Sequence, residues 1–229
     1  MEIPIQYVIE FLSGLIFHSY SDTFFVARCC YNGIINFREE WNMTNATLTT
    51  KRMVLTALMA ALTVAGSALR VTLPIDIGGN TSFHLGNIMC ALSGLLLGPW
   101  LGGLASGLGS AIYDMTNPLY ISECWITFLT KCAYGLVVGL MVLKAKNNWG
   151  YGKAILATAA GAVTYALLYL SKSYFYNSLF LRGLTPAAAM TAIIAKLPAT
   201  VFNAVVALIF APILGVAIRK ALERNHLSL

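Results

Sequence analysis

Three hydrophilic side chains, Lys131, Lys196 and Asn203, occur in stretches of sequence that are otherwise apolar. A polar or ionisable group at such a position is costly unless it contacts a partner or a polar cavity, so these residues are candidate ligand-binding residues. Structural roles are the alternatives. Lys131 could reach the surface or pair with Asp114 or Glu123, Lys196 could lie near the surface, and Asn203 could hydrogen-bond a neighbouring helix.

A second group of polar residues flanks predicted loops. Residues 75–84 form a glycine-containing segment that leads into a helix, and Asn87 follows His84 by about one turn, which predicts that the two share a helix face. Asp114 lies at the end of the next helix, where its carboxylate could accept a hydroxyl or ring N–H of a ligand. A gating loop beside a binding face is one interpretation, and a solvated connection is the other.

Tyrosines recur at helical spacing near Lys172. Tyr165 and Tyr169 are four residues apart and Tyr176 follows seven residues later, so they share one stripe of a predicted helix. Such a stripe commonly packs in a core or at a membrane interface. It also offers flat faces on which a heteroaromatic ligand could stack, so Tyr165 and Tyr169 are included as candidate binding residues.

No motif of a known catalytic site accompanies these residues. The sequence has no GxSxG elbow, HExxH pair, Walker sequence or dinucleotide fingerprint. Its 5 cysteines include no CxxC, so packing as small hydrophobic residues is favoured over metal or disulfide roles. We therefore predict a protein without enzymatic activity, cofactor or metal of its own.

The composition places these polar residues in a membrane protein. Only 10% of the 229 residues are charged and 58% are hydrophobic, whereas soluble domains carry about 25% charged residues. The chain lacks the polar surface that a water-soluble globule needs. Its net charge of +6 comes from residues beside apolar stretches and does not indicate nucleic-acid binding.

Apolar periodicity predicts an all-α integral membrane bundle of six transmembrane helices. The second and third helices are expected as a short pair joined by a turn at Gly98-Pro99-Trp100. The last region contains Pro198 and Pro212, so one kinked helix or a short helix plus a span are both allowed. The predicted apolar segments are Met53–Leu69, Leu85–Tyr113, Ser122–Leu143, Ala154 to about Tyr176, and Pro186–Ile218.

The distribution of lysine and arginine predicts the orientation. Only Arg70 and Arg182 flank the spans on one side. The other side carries eight basic residues: Lys51, Arg52, Lys144, Lys146, Lys153, Arg219, Lys220 and Arg224. Both termini are therefore predicted in the cytoplasm, with external loops at 71–83, 114–121 and 177–185.

Residues 1–42 differ from the rest, because charged residues are scattered among aromatic ones without the pattern of a signal peptide. We interpret them as an N-terminal extension and predict that the functional protein starts at Met43. Residues 43–229 then form the membrane substrate-binding domain.

The first predicted helix carries Ala57, Ala61 and Ala65 along one face. Small residues at this spacing allow another helix to approach closely in a bilayer. That helix could belong to a partner or to the same chain.

Three features together resemble the substrate-binding S component of an energy-coupling factor (ECF) vitamin transporter. They are the alanine repeat at 57, 61 and 65, the segment from Phe83 through Gly94 to Gly98-Pro99-Trp100-Leu101-Gly102, and the segment from Gly107 to Asp114. The resemblance extends from Lys51 to Leu222. It is closest to the hydroxymethylpyrimidine or pyridoxine type.

The resemblance implies a six-helix subunit in the prokaryotic cell membrane that captures a vitamin from outside. It implies docking through the alanine face on a membrane scaffold subunit (EcfT), with two ABC-type ATPases that bind ATP and magnesium. The subunit would deliver its substrate by reorienting in the membrane, and loop 71–83 would cover the site. His84, Asn87, Asp114 and Lys131 occupy suitable places for binding.

The candidate residues mix donors and acceptors without a cluster of arginines, which favours a small, largely uncharged aromatic alcohol. Riboflavin, pantothenate and folate remain open. The alternative function is a stand-alone or ion-coupled carrier of small molecules, and an intramembrane enzyme or a structural membrane subunit is disfavoured.

Overall fold

The computed structural model describes residues 50–73, 81–143 and 149–224 of the chain. The predicted start at Met43 and the extension before it lie outside these ranges. The elements in chain order are helix α1 (Thr50–Ala68), strands β1 (Arg70–Leu73) and β2 (Thr81–His84), and helices α2 (Gly86–Thr116), α3 (Cys124–Leu143), α4 (Tyr151–Lys172) and α5 (Pro186–Arg224). A 3-10 turn, Ile121–Glu123, precedes α3, and a π-helix, Ser173–Leu181, continues α4.

The described part of the chain forms an all-α membrane bundle, as the composition predicts. Five of its helices are long and apolar enough to cross a membrane. Large apolar side chains cover their outer surfaces, with Val54, Leu167 and Ile194 each at least 60% exposed. A surface of this kind is stable in lipid and would aggregate in water.

Helix α2 folds back on itself at Gly98. The backbone there has φ of 77°, a left-handed conformation that favours glycine, and Pro99 follows it. Residues 86–97 and 99–116 lie side by side, because Ser93 Oγ is 2.6 Å from Ser106 Oγ and Cys90 Sγ is 3.7 Å from Ser110 Oγ. The prediction of two short helices joined by a turn at Gly98 is confirmed. The hydroxyls of Ser93 and Ser106 find hydrogen-bond partners between the two halves.

A two-stranded antiparallel hairpin connects α1 to α2, and Arg70 pairs with His84 in its register. The expectation that His84 and Asn87 share a helix face is wrong, because His84 belongs to β2 and α2 begins only at Gly86. The glycines in the intervening sequence indicated a loop and hid the short strands at its ends.

The C-terminal half decides one open alternative and corrects one predicted loop. Residues 186–224 form one long helix that contains both prolines, so a short helix plus a span is excluded. The predicted external loop 177–185 is wrong in its first part, since the π-helix extends to Leu181. Thr185 caps α5, its hydroxyl accepting a hydrogen bond from the Ala188 amide at 3.4 Å.

Glycines set the distances between neighbouring helices. A Cβ atom on Gly102 would lie 2.6 Å from the Ser93 carbonyl oxygen and 2.7 Å from Gly94 Cα. On Gly135 it would lie 2.7 Å from the Gly102 carbonyl oxygen. Both halves of α2 and helix α3 are therefore in backbone contact, which is the kind of packing that small residues permit in membranes.

We predict that Gly102→Ala destabilises the protein, whereas Gly152→Ala does not. Both substitutions gain helix propensity, but only the Gly102 site is closed by backbone atoms, since nothing lies within 4 Å of a Cβ on Gly152. Overpacking costs about 1–3 kcal/mol. Thermal unfolding in detergent should give a clearly lower Tm for Gly102→Ala, and equal Tm values would contradict the packing described here.

Candidate functional site

A cavity of about 290 Å³ lies among the hairpin, one end of α2 and helices α3, α4 and α5. This volume is at the lower end of the range for small-molecule sites, roughly 300–1,000 Å³. The wall formed by the described residues is mainly polar, and the aliphatic side chains among them are those of Leu119 and Leu181. Its charged residues are Arg70, Asp114, Glu123, Lys131, Lys172 and Arg182, and its neutral polar and aromatic residues are Ser67, Ser82, His84, Ser110, Tyr120, Ser122, Thr127, Thr130, Tyr165, Tyr169, Asn177, Thr200 and Asn203.

Lys131 occupies the wall of this cavity one third of the way along α3. The residue is only 4% exposed. Its ammonium donates a hydrogen bond to Asn87 Oδ1 and lies 3.9 Å from the centre of the Tyr165 ring. An amide oxygen and an aromatic face stabilise a cation without neutralising it, so Lys131 keeps a positive charge available to a ligand.

The carboxylates that were alternative partners of Lys131 pair with other residues. Glu123 Oε2 lies 2.6 Å from Lys172 Nζ, which joins the start of α3 to the end of α4. Asp114 Oδ1 lies 3.8 Å from Arg70 Nη2. Asp114 is buried at the cavity and has a loose ion pair, so its carboxylate can accept hydrogen bonds from a ligand.

His84 faces the cavity from the hairpin as a neutral imidazole. Burial, and then the positive charges of Lys131 and Arg70, hold its pKa well below the usual value of 6.5. Its Nδ1 atom is buried and has no hydrogen-bond partner among the described residues. A neutral imidazole can donate at one nitrogen and accept at the other, which suits a ligand with both kinds of group.

Asn203 fastens the hairpin to α5. Its Oδ1 accepts a hydrogen bond from the His84 amide at 3.0 Å, and its Nδ2 donates to the Ser82 carbonyl oxygen at 2.8 Å. The rings of Phe83 and Phe202 meet edge to face at 4.9 Å beside this contact. Asn203 also lines the cavity, so it combines the structural role and the predicted place at the site.

The tyrosines form a stack along the cavity. Tyr165 lies between Tyr134 at 5.6 Å and Tyr169 at 5.8 Å, as measured between ring centres. Tyr165 and Tyr169 line the cavity, and Tyr134 is fully buried behind them. Tyr176 instead contacts Trp125 outside the cavity lining. The stack provides aromatic surface next to the Lys131 ammonium.

Two of the predicted binding residues do not line the cavity. Asn87 supports Lys131 from behind. Lys196 is 1% exposed and donates a hydrogen bond of 2.7 Å to Ser173 Oγ, at the point where α4 changes into the π-helix. The structure thus places Lys196 at a helix junction, and no contact in the described residues brings it to the ligand space.

Several cavity residues were absent from the sequence-based candidates. Arg70 and Arg182 were recognised only as charges that flank the spans. Glu123 was considered only as a structural partner of Lys131, Lys172 was noted only beside the tyrosine stripe, and Asn177 was assigned to an external loop. Tyr120 OH and Asn177 Oδ1 are buried without a partner among the described residues. A useful signal was available: all four charges lie where the predicted spans end on the same side.

The predicted partner face points away from this site. Ala57, Ala61 and Ala65 are exposed, while α1 packs on the bundle through its opposite face with Met59, Thr63, Gly66 and Ser67. Internal packing was the alternative for the alanine repeat. The alanines therefore form a shallow, exposed apolar strip.

The fold and the cavity define an all-α membrane protein with a polar cavity among its helices. The family model described as the ECF-type riboflavin transporter S component matches residues 47–220. The chain belongs to this family of ECF S components, which are transporter subunits and not enzymes.

Two proteins show similarity over parts of their sequences. An uncharacterized protein of Pyrococcus woesei is 33% identical over 114 residues, covering 50% of this chain and 72% of that protein. A UPF0397 protein of Streptococcus gordonii is 34% identical over 97 residues, covering 42% of this chain and 50% of that protein. The match therefore spans only half the length of the streptococcal protein.

These comparisons confirm the resemblance to an ECF S component. The hydroxymethylpyrimidine or pyridoxine type was the predicted subtype, and it stays a prediction, since the matching family model carries the name of riboflavin.

We predict that Asn203→Leu releases the hairpin from α5, because it removes both hydrogen bonds to β2 without a large change in volume. Hydrogen–deuterium exchange of residues 81–84 should accelerate about tenfold, as expected for the loss of net hydrogen bonds. Asn117→Ala is the control, since Asn117 Oδ1 accepts only a local hydrogen bond of 3.1 Å from the Leu119 amide. Unchanged exchange in Asn203→Leu would show that Asn203 does not hold the hairpin on α5.

Proposed function

We propose that the protein is the high-affinity substrate-capture subunit of an ATP-driven ECF importer for a small water-soluble vitamin or vitamin precursor. The observation that carries the proposal is the polar cavity at which Lys131, Asp114, His84 and Tyr165 converge. A buried cation, a buried carboxylate and a neutral imidazole in one space are costly without a ligand that pairs with them.

The same cavity supports a flat heteroaromatic substrate with hydroxyl groups. Tyr165 and Tyr169 offer stacking surface, and the polar wall offers both donors and acceptors. The modest volume favours a single ring, so hydroxymethylpyrimidine and pyridoxine are the preferred substrates. Riboflavin is the competing substrate, on the strength of the family name.

We further propose six membrane crossings with both termini in the cytoplasm. The two helical halves of α2 then cross separately, which adds one crossing to the five long helices. Arg70 and Arg182, the basic residues assigned to the external side, both line the cavity. On this assignment the cavity lies toward the outside, as a capture site requires.

The remaining proposals concern the partners. The exposed face of Ala57, Ala61 and Ala65 would dock on a membrane scaffold subunit, and two ATPases bound to that scaffold would supply ATP hydrolysis with magnesium. The subunit would deliver the substrate by reorienting in the cell membrane. A stand-alone or ion-coupled carrier is the competing function, and concentrative uptake by this chain in vesicles without scaffold and ATPases would support that competitor.

Native mass spectrometry of the purified protein should detect a bound small molecule with one heteroaromatic ring. Isothermal titration with hydroxymethylpyrimidine, pyridoxine and riboflavin then measures affinity directly. Release of riboflavin alone would contradict the preference for a single ring, and binding of none of the three would contradict the proposed substrate class.

Lys131→Ala and Asp114→Ala should each weaken binding of the titrated vitamin about tenfold to hundredfold, as expected for lost hydrogen bonds to charged groups. Assembly with the scaffold should persist. Lys220→Ala is the matched control, because Lys220 is exposed and outside the cavity lining. Wild-type affinity in both cavity variants would remove these residues from the site.

Ala57→Leu and Ala61→Leu should have the opposite effect, because a larger side chain prevents close helix approach. Co-purification with the scaffold should fall while vitamin affinity stays unchanged. Ala217→Leu, an exposed alanine on α5, is the control for added bulk. Undiminished co-purification would show that the scaffold binds elsewhere.

A further inference from the structure

Arg70 occupies an unusual position at the start of β1. Its guanidinium carbon lies 4.6 Å from the ring centres of both Tyr113 and Tyr120, so two aromatic rings contact the cation. The side chain is only 9% exposed, and the residue lines the cavity. These contacts fix the plane of the guanidinium beside the ligand space.

The hydrogen-bonding capacity of this guanidinium is largely unused. Its Nε is buried and has no partner among the described residues. The nearest carboxylate atom, Asp114 Oδ1, lies 3.8 Å from Nη2, which is too far for a hydrogen bond. A buried charged donor without an acceptor is costly. The aromatic faces stabilise the positive charge of the guanidinium, but they do not replace an acceptor for its N–H groups.

The hairpin register places a second unsatisfied group next to the first. Arg70 and His84 are directly opposed on the two strands, and both line the cavity. Side chains opposed in an antiparallel pair project on the same face. The hairpin therefore presents a cationic donor and a neutral imidazole side by side at the cavity.

We propose that Arg70 is a substrate-binding and specificity-determining residue, whose guanidinium donates hydrogen bonds to an oxygen acceptor on the edge of the ligand ring. This inference rests on the proposed function and specifies the substrate class further: a flat ring that carries a carbonyl, carboxylate or deprotonated hydroxyl oxygen. Such an oxygen supplies the acceptor that Arg70 Nε does not find among the described residues.

The geometry requires arginine at this position and not merely a positive charge. A guanidinium stacks between aromatic rings and offers several N–H groups in one plane, while an ammonium is a compact point charge. Lysine at this position would keep the charge and lose the planar donor set. If Arg70 only stabilised the packing of the hairpin on α2, ligand affinity would be the same with arginine and with lysine at position 70.

The test compares Arg70→Lys and Arg70→Gln with Arg219→Lys. Arg219 is a matched control, since its guanidinium stacks on Trp149 at 5.1 Å and its Nη1 is buried without a described partner, yet it does not line the cavity. Isothermal titration with pyridoxine, hydroxymethylpyrimidine and riboflavin should show affinity for the bound probe reduced about tenfold to hundredfold in both Arg70 variants. Arg219→Lys should keep wild-type affinity, and the Tm of the ligand-free Arg70 variants should remain near that of the wild type.

A measurement on the unaltered protein covers the case in which the variants fail to fold. With arginine labelled by nitrogen-15, the Nε–H resonance of Arg70 should shift when the bound probe is added, and that of Arg219 should not. An unmoved Arg70 resonance, or wild-type affinity in Arg70→Lys and Arg70→Gln, would overturn the inference while leaving the capture function intact. Failure of the wild-type protein to bind any of the three probes would overturn the inference together with the proposed substrate class.

Discussion

The structure depends on one constraint: polar groups inside an apolar bundle must find their partners within the protein. Lys131 shows how this is achieved, since Asn87 and Tyr165 stabilise its ammonium and contribute no negative charge. Glu123 and Lys172 neutralise each other nearby. Among the described residues, Glu123 and Lys172 thus form a close ion pair that stabilises the fold, whereas Lys131 and Arg70 line the cavity without a carboxylate at hydrogen-bond distance.

Close helix packing makes that arrangement possible. Gly94, Gly102 and Gly135 bring the two halves of α2 and helix α3 into backbone contact over the far half of the bundle. Toward the other end of α2 the small residues give way to Asp114, which lines the cavity opposite such larger side chains as Tyr165 of α4. The hairpin lines this cavity as well, and Asn203 joins it to α5.

The sequence predicted the helices because apolar stretches mark them. It predicted much of the cavity because polar residues stand out within those stretches. Charges in apolar stretches are few, so Lys131 and Asp114 were conspicuous, and both line the cavity. The hairpin was missed because its strands are four residues long and flank a glycine-containing segment. Lys196 had the same apolar context as Lys131, yet it contacts Ser173, since sequence periodicity does not tell which neighbour a helix face meets. Asn177 was hidden by a π-helix, which no periodicity of 3.6 residues predicts.

The charges on the cavity wall explain why the two ends of a ligand would be recognised differently. Among the described lining residues, four basic side chains face two carboxylates, and the imidazole of His84 adds no charge because its pKa is lowered. The excess is positive, which disfavours a cationic ligand and favours electron-rich oxygens. On the proposed function, the tyrosine stack of α4 would contact a ligand through ring faces, and Arg70 and His84 on the hairpin would contact it through N–H groups and lone pairs. A ligand that used both would contact the two hairpin strands and the helices at once, so its binding energy would also hold the hairpin on the bundle.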